Sequence, residues 1–181
     1  MTSSRFQQTL IFLMISRLRT KILVILGVDP GLSNTGWGVV SYDGKNYRPI
    51  SYGVIQTSKD EDQVKRIYTI AEDLGTIATK YGVDEASIED IFFNQNISSA
   101  IPVAKVIGAA IYKFSSMGIP SYIYAPRDIK LGVVGIGNAE KYQVQDMVKR
   151  ILRLKDIPKP DHAADALADC ICHVTHRSSK I

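Results

Sequence analysis

Cysteine is scarce in this chain, long apolar runs are missing, and the charge imbalance is small. The 181 residues hold two cysteines, Cys170 and Cys172. They stand two apart on a predicted helix, so their side chains diverge, which argues against a disulfide or a metal clip between them. Buried or spare thiols in a reducing compartment are the expectation. No stretch approaches the roughly 20 apolar residues that a membrane-spanning helix needs. No repeat or low-complexity tract is present. With 22 Lys and Arg against 18 Asp and Glu, the formal charge is only +4 and the pI about 9.0. That balance permits an anionic partner without requiring one. A composition 45% apolar and 22% charged is that of a globular chain able to build one sizeable core.

Acids are also absent from residues 1–21, where Arg5, Arg17, Arg19 and Lys21 surround a short apolar core, Leu10 to Ile15. These residues are expected to be a disordered extension, or the product of a start codon upstream of Met14 or a later true start. An amphipathic organelle-targeting leader or a failed secretory signal is the alternative. The folded unit is then residues 22–178, cytoplasmic unless the leader is real.

Apolar patterning gives the order of elements. Ile22 to Val28 reads as a fully buried strand, and Gly36 to Tyr42 and Tyr47 to Gln56 follow it, joined by the hairpin signal Asp43-Gly44. Gln63 to Tyr81 has helical spacing and stops near Gly82. Glu85 to Glu89 is a short strand, Asn96 to Met117 a long apolar helix, and Ser121 to Tyr124 a fifth strand. Pro126 starts a short helix, and Gly132 to Gly137 reads as a glycine-punctuated loop. Ala139 to Leu154 and Asp161 to His176 are the last helices. Three antiparallel strands, then strands alternating with helices, predict a mixed five-stranded α/β sheet with helices on both faces. The helix Asn96–Met117 is apolar beyond one stripe. It is either sandwiched in the domain or buries a face against a second subunit, with Ile107 expected at that contact.

Three acidic points interrupt this pattern. Asp29 ends the first apolar run and is followed by Pro30-Gly31; Glu89-Asp90 closes a second run; Asp161-His162-Ala163-Ala164-Asp165 opens an apolar helix. A carboxylate at the end of a buried strand is costly unless a positive charge meets it. Three of them point to a shared divalent cation and phosphoryl chemistry, because hard cations such as magnesium take oxygen ligands. Asp29 could instead be a plain turn former in Asp-Pro-Gly. Glu89 and Asp90 point to opposite faces of a strand, so only one can meet Asp29. Residues 162 and 165 share a helix face. Asp161 is the expected N-cap, and Asp169 is either a lower ligand or merely solvated. The cations of the stretch Lys141 to Lys159, among them Lys149, Arg150, Arg153 and Lys155, are interleaved with Asp146 and Asp156 and suit a solvated face better than a nucleic-acid track.

Four motifs occur in order: Gly27-Val28-Asp29-Pro30-Gly31, Ile88-Glu89-Asp90-Ile91-Phe92, Gly135-Ile136-Gly137-Asn138-Ala139-Glu140-Lys141, and Asp161-His162-Ala163-Ala164-Asp165-Ala166-Leu167-Ala168. Together they resemble the RuvC family, bacterial resolvases of four-way (Holliday) DNA junctions with a ribonuclease-H-like fold. The resemblance spans about Ile22 to His176. It implies a homodimeric endonuclease, dependent on Mg2+ (two per subunit, with Mn2+ able to substitute), that nicks two symmetry-related strands. It places Asp29, Glu89 and Asp165 at metal-holding positions and selects Glu89 over Asp90. His162 falls where many relatives have aspartate and others histidine, so it binds metal or orients water. Phe92 matches a base-stacking aromatic, and Lys130 and Lys141 match phosphate contacts. The resemblance also implies the branch-migration partners RuvA and RuvB. Two alternatives stand beside it. One is a junction-binding module without catalysis, the other an actin-like-fold kinase, which would need a second domain.

Overall fold

A computed structural model describes residues 22–91 and 97–178; the extension at residues 1–21 and Phe92 lie outside them. The apolar run ending in Asp29 forms β1 (Leu23–Asp29), whose central four residues are buried. A strand apolar on both faces belongs in the middle of a sheet with layers on both sides. β1 takes that place. It pairs antiparallel with β2 (Asn34–Tyr42), which pairs antiparallel with β3 (Tyr47–Gln56). On its other edge β1 pairs parallel with β4 (Glu85–Glu89), and β4 with β5 (Ser121–Tyr124), giving the order β3-β2-β1-β4-β5.

Strand alternation divides the core in two. Leu26, Val28, Val39, Ala86 and Ile88 face α1 (Gln63–Tyr81) and α2 (Ile97–Ser116), where Ile70, Leu74, Ala110 and Phe114 complete one cluster. Ile25 and Val40 face the other side, packed with α3 (Pro126–Val134), α4 (Lys141–Ile151) and α5 (Asp161–Ser178). The Asp62 carboxylate caps α1 by accepting from the Val64 and Lys65 N–H groups (2.7 and 3.3 Å). Gly82 ends that helix in the left-handed conformation.

The predicted fold class holds, with local corrections. β2 begins at Asn34, two residues before the expected start. The glycine-punctuated loop is shorter than expected, because α3 runs through Gly132 and stops at Gly135, whose φ is 82°. α4 spans Lys141–Ile151, capped by the reciprocal Glu140–Gln143 box. Asp161 is inside the first turn of α5 rather than ahead of it, and its carboxylate accepts from Lys159 Nζ (2.9 Å). Ile107 is buried in the α1–α2 cluster, so it does not sit on an outward face; Ile101 and Tyr112 do. Cys170 and Cys172 are both free and buried.

Close packing of α5 on the sheet sets up the site. A Cβ at Gly27 of β1 would overlap the Ala166 carbonyl oxygen, and one at Gly36 of β2 that of His162. The two glycines let the helix backbone lie almost on the strands. The first turn of α5 therefore rests over the end of β1, where Asp29 is.

Candidate active site

Asp29 and Glu89 end neighbouring parallel strands, one residue past the paired positions Val28 and Ile88. On β4, Glu85, Ser87 and Glu89 point to the α5 side, because Ala86 and Ile88 are in the opposite core. Asp90 is exposed and accepts from the Ile91 N–H (2.8 Å). The choice of Glu89 over Asp90 therefore agrees with the geometry.

The turn after Asp29 is held from three directions. Thr35 Oγ1 donates to the Gly31 carbonyl (2.6 Å), and Thr57 Oγ1 to that of Leu32 (2.5 Å). Arg66, largely buried, donates to Ser33 Oγ (2.8 Å) and Thr57 Oγ1 (2.9 Å). Asp-Pro-Gly is thus a turn as well as an acid position, and a rigid one.

Three of the four predicted ligands come together outright. Donor atoms of Asp29, His162 and Asp165 lie within 4.8 Å of one another. His162 Nδ1 is 2.7 Å from Asp29 Oδ2, and Lys141 Nζ donates to Asp165 Oδ2 at 2.7 Å. Lys141 also stands 4.0 Å from Asp161. Glu89 lies outside that triad but lines the adjoining cavity of about 270 Å³. Asp165, Lys130 and Lys141 share that cavity, over a floor of Pro126, Ile129, Val144 and Ala168. Sequence patterning missed the floor, which is assembled from three helices.

Charge at this place is unbalanced. Two carboxylates with oxygens within 4.8 Å repel by roughly 3 kcal/mol at an effective dielectric near 20. Burial first, then the charges of Asp29 and Asp165, push the Glu89 carboxyl up to about 8, against the pull of Lys141 and Lys130. Burial also raises Asp29; its hydrogen bond from His162 opposes this, and the charge of Asp165 adds to it. For Lys141, burial favours the neutral amine, but its hydrogen bond to Asp165 and the nearby acids outweigh that, so its pKa rises. A carboxyl such as Glu89 that holds its proton near neutral pH is short of positive charge, the condition a divalent cation relieves. The donor set thus fits a hard cation.

Asp169, left open between ligand and solvated acid, is 0% exposed, so the solvated alternative is gone. Burial drives its carboxyl well above the ordinary range, reinforced by Glu89, Asp29 and Asp165. The only sequence signal was its spacing, four residues past Asp165.

Further along the same seam, His173 Nε2 meets Glu85 Oε2 (2.6 Å) and its Nδ1 meets the Tyr124 hydroxyl (2.8 Å). Arg177 also pairs with Glu85. Burial would raise Glu85, but Arg177 and His173 outweigh it and hold the carboxyl low.

Mixed strands in this order, with acids at the ends of β1 and β4 beneath a helix-borne His–Asp pair, define a ribonuclease-H-like fold carrying a cation-ready acidic centre. The family model described as crossover junction endodeoxyribonuclease RuvC matches residues 25–173. A crossover junction endodeoxyribonuclease RuvC from Clostridioides difficile is 41% identical over 83% of this chain and 89% of its own. One from Endomicrobium trichonymphae is 45% identical over 84% and 80%. The structure of Thermus thermophilus RuvC superposes with a TM-score of 0.81 at 32% identity, covering 87% of this chain and 97% of that one. The same protein solved in complex with a Holliday junction substrate gives 0.78 at 29%, covering 87% and 96%. The chain belongs to the RuvC family of crossover junction endodeoxyribonucleases, metal-dependent nucleases.

Proposed function

We propose that this chain resolves four-way DNA junctions as a homodimer that makes paired, symmetric nicks, with Asp29, Glu89, His162 and Asp165 holding divalent cations. The observation that carries this reading is the Asp29–His162–Asp165 cluster beside a cavity that Asp165 shares with Glu89, Lys130 and Lys141. Three carboxylates supply oxygen ligands suited to Mg2+, two per subunit, with Mn2+ as a substitute; the imidazole is the one departure. Bound there, such cations supply Lewis-acid stabilisation of the phosphate charge and an attacking water of lowered pKa.

The protein's own groups orient the substrate. Lys141 is already drawn into the pocket by Asp165, so an incoming phosphate gives its ammonium a second anionic partner. Lys130 presents a further cation on the same cavity. His162 has Nδ1 committed to Asp29, which leaves Nε2 to meet a cation or a water. Water attacks phosphorus and the bond to the 3′ oxygen breaks, leaving a 5′-phosphate and a 3′-hydroxyl. Phe92 is assigned the stacking role at the opened crossover. The outward face of α2, with Ile101 and Tyr112 exposed, is the assigned dimer contact. RuvA and RuvB are the assigned partners, and the bacterial cytoplasm the setting.

The kinase and non-catalytic alternatives gain nothing from the relatives. The test is a synthetic four-way junction with Mg2+ or Mn2+, run beside Asp29→Asn. The parent should give symmetric nicks, and the variant should lose cleavage while keeping junction affinity, because binding rests on phosphate contacts elsewhere. Binding without any nick by the parent would overturn the proposal.

A further inference from the structure

Asp169 is the feature that the mechanism above does not use. It lies one turn beyond Asp165 on α5, on the face turned to β4, and the Ser87 hydroxyl donates to its backbone carbonyl (3.0 Å). The side chain is fully buried. Neither carboxyl oxygen has a hydrogen-bond partner among the described residues. A buried acid in that condition is among the costliest groups a core can hold. A core position needing only volume would be filled more stably by leucine or valine. Asp169 stands one turn from Asp165 and against Ser87, which is two residues before Glu89 on the same face of β4, so it is buried next to the acidic pocket, and the charges of Glu89, Asp29 and Asp165 bear on its carboxyl.

We propose that Asp169 is a fourth acid of the cation centre, placed beneath Glu89 and Asp165, where its carboxyl increases divalent-cation affinity instead of serving the core. This rests on the cation site proposed above. Asp169 is a positioning residue, because nothing in its surroundings brings it to the substrate. Its cost falls on the metal-free protein, and its return comes only when positive charge enters the pocket. Groups around metal ligands commonly change metal affinity by roughly 10–100-fold when removed.

The experiment is Mn2+ binding to the full chain without DNA, followed by electron paramagnetic resonance of the free ion, with melting of the metal-free protein in parallel. Asp169→Asn keeps the shape and removes the charge; Asp169→Leu removes both polar atoms. Both should bind Mn2+ at least about tenfold more weakly than the parent. Asp169→Leu should melt several degrees higher without metal. Affinities within threefold of the parent in both variants would overturn the proposal, whatever the melting temperatures. Should Asp169→Leu fail to fold, Asp169→Asn decides alone. Asp29→Asn separates this from the underlying reading. If the parent binds no Mn2+, or Asp29→Asn binds as tightly as the parent, the cation site itself is wrong. If Asp29→Asn loses affinity and the Asp169 variants do not, only the role of Asp169 fails.

Discussion

Glu89 should make the metal-free protein less stable as pH rises. Its carboxyl is raised from an ordinary 4.5 to about 8 by burial and by Asp29 and Asp165. Below pH 4.5 the group is protonated in both folded and unfolded chains and contributes no difference. Between 4.5 and 8 the unfolded chain ionises it while the folded chain keeps the proton, so stability falls with pH. Above 8 both states are ionised and the full penalty applies. At about 1.4 kcal/mol per pH unit, the span from 4.5 to about 8 corresponds to about 5 kcal/mol. Local relaxation and water entry bring the measurable part nearer 2 kcal/mol. Glu89→Gln removes the ionisation and keeps the shape. At pH 8.5 in chelator it should melt about 4–8 °C above the parent, a gap that closes by pH 5. Saturating Mn2+ should reverse the order, because the cation stabilises the form that binds it. Melting curves at pH 5, 7 and 8.5, with and without Mn2+, measure all of this. A Glu89→Gln gain that is equal at pH 5 and pH 8.5, or absent at both, would refute the electrostatic account of the pocket.

Other perturbations separate binding from chemistry and from assembly. Lys141→Ala frees the Asp165 carboxylate and removes a phosphate contact; junction affinity should fall, and the slope of log K against log salt should drop by about one contact. An unchanged slope in salt titrations would remove Lys141 from the phosphate track. Phe92→Ala should impair junction opening, followed by 2-aminopurine fluorescence at the crossover, more than it weakens binding to plain duplex. Equal effects on both would end the stacking role. Ile101→Asp combined with Tyr112→Glu, on the outward face of α2, should yield monomers in sedimentation while circular dichroism stays the same, and an unchanged mass would move the dimer contact elsewhere.

Much of this site could be read from one-dimensional pattern. The apolar run before Asp29, the Asp43-Gly44 hairpin and strand alternation at Glu89-Asp90 each correspond to a local physical rule, and the structure agrees with all three. What could not be read depends on which way an element faces. Spacing puts Asp161, Asp165 and Asp169 on one side of α5, but not that the last is sealed against β4 while the first meets solvent and Lys159. Gly132 looked like loop punctuation because glycine disfavours helix interiors. Its reason is contact, since a Cβ there would press on Cys172 Cα at 3.0 Å. Ile107 belonged to an all-round apolar helix, and periodicity cannot choose its inner face when nearly every face is apolar.

The seam between β4 and α5 shows how stability and function divide along a single interface. β4 turns three polar residues toward the helix, Glu85, Ser87 and Glu89, and α5 answers with His173, Asp169 and Asp165. At the Glu85 end every group is matched: His173 and Arg177 hold the carboxylate, Tyr124 takes the second ring nitrogen, and the hydrogen bonds bind helix to strand. In the middle, Ser87 spans the two elements through the Asp169 backbone. At the Glu89 end the acids gather faster than the cations that could balance them. A pair of elements anchored only by apolar contact would relieve that repulsion by drifting apart, as like charges do when nothing opposes them. The matched far end and the glycine contacts at Gly27 and Gly36 prevent it. The carboxylates are therefore kept close at a cost in the metal-free protein, an arrangement that would accept the proposed divalent cation with little further movement.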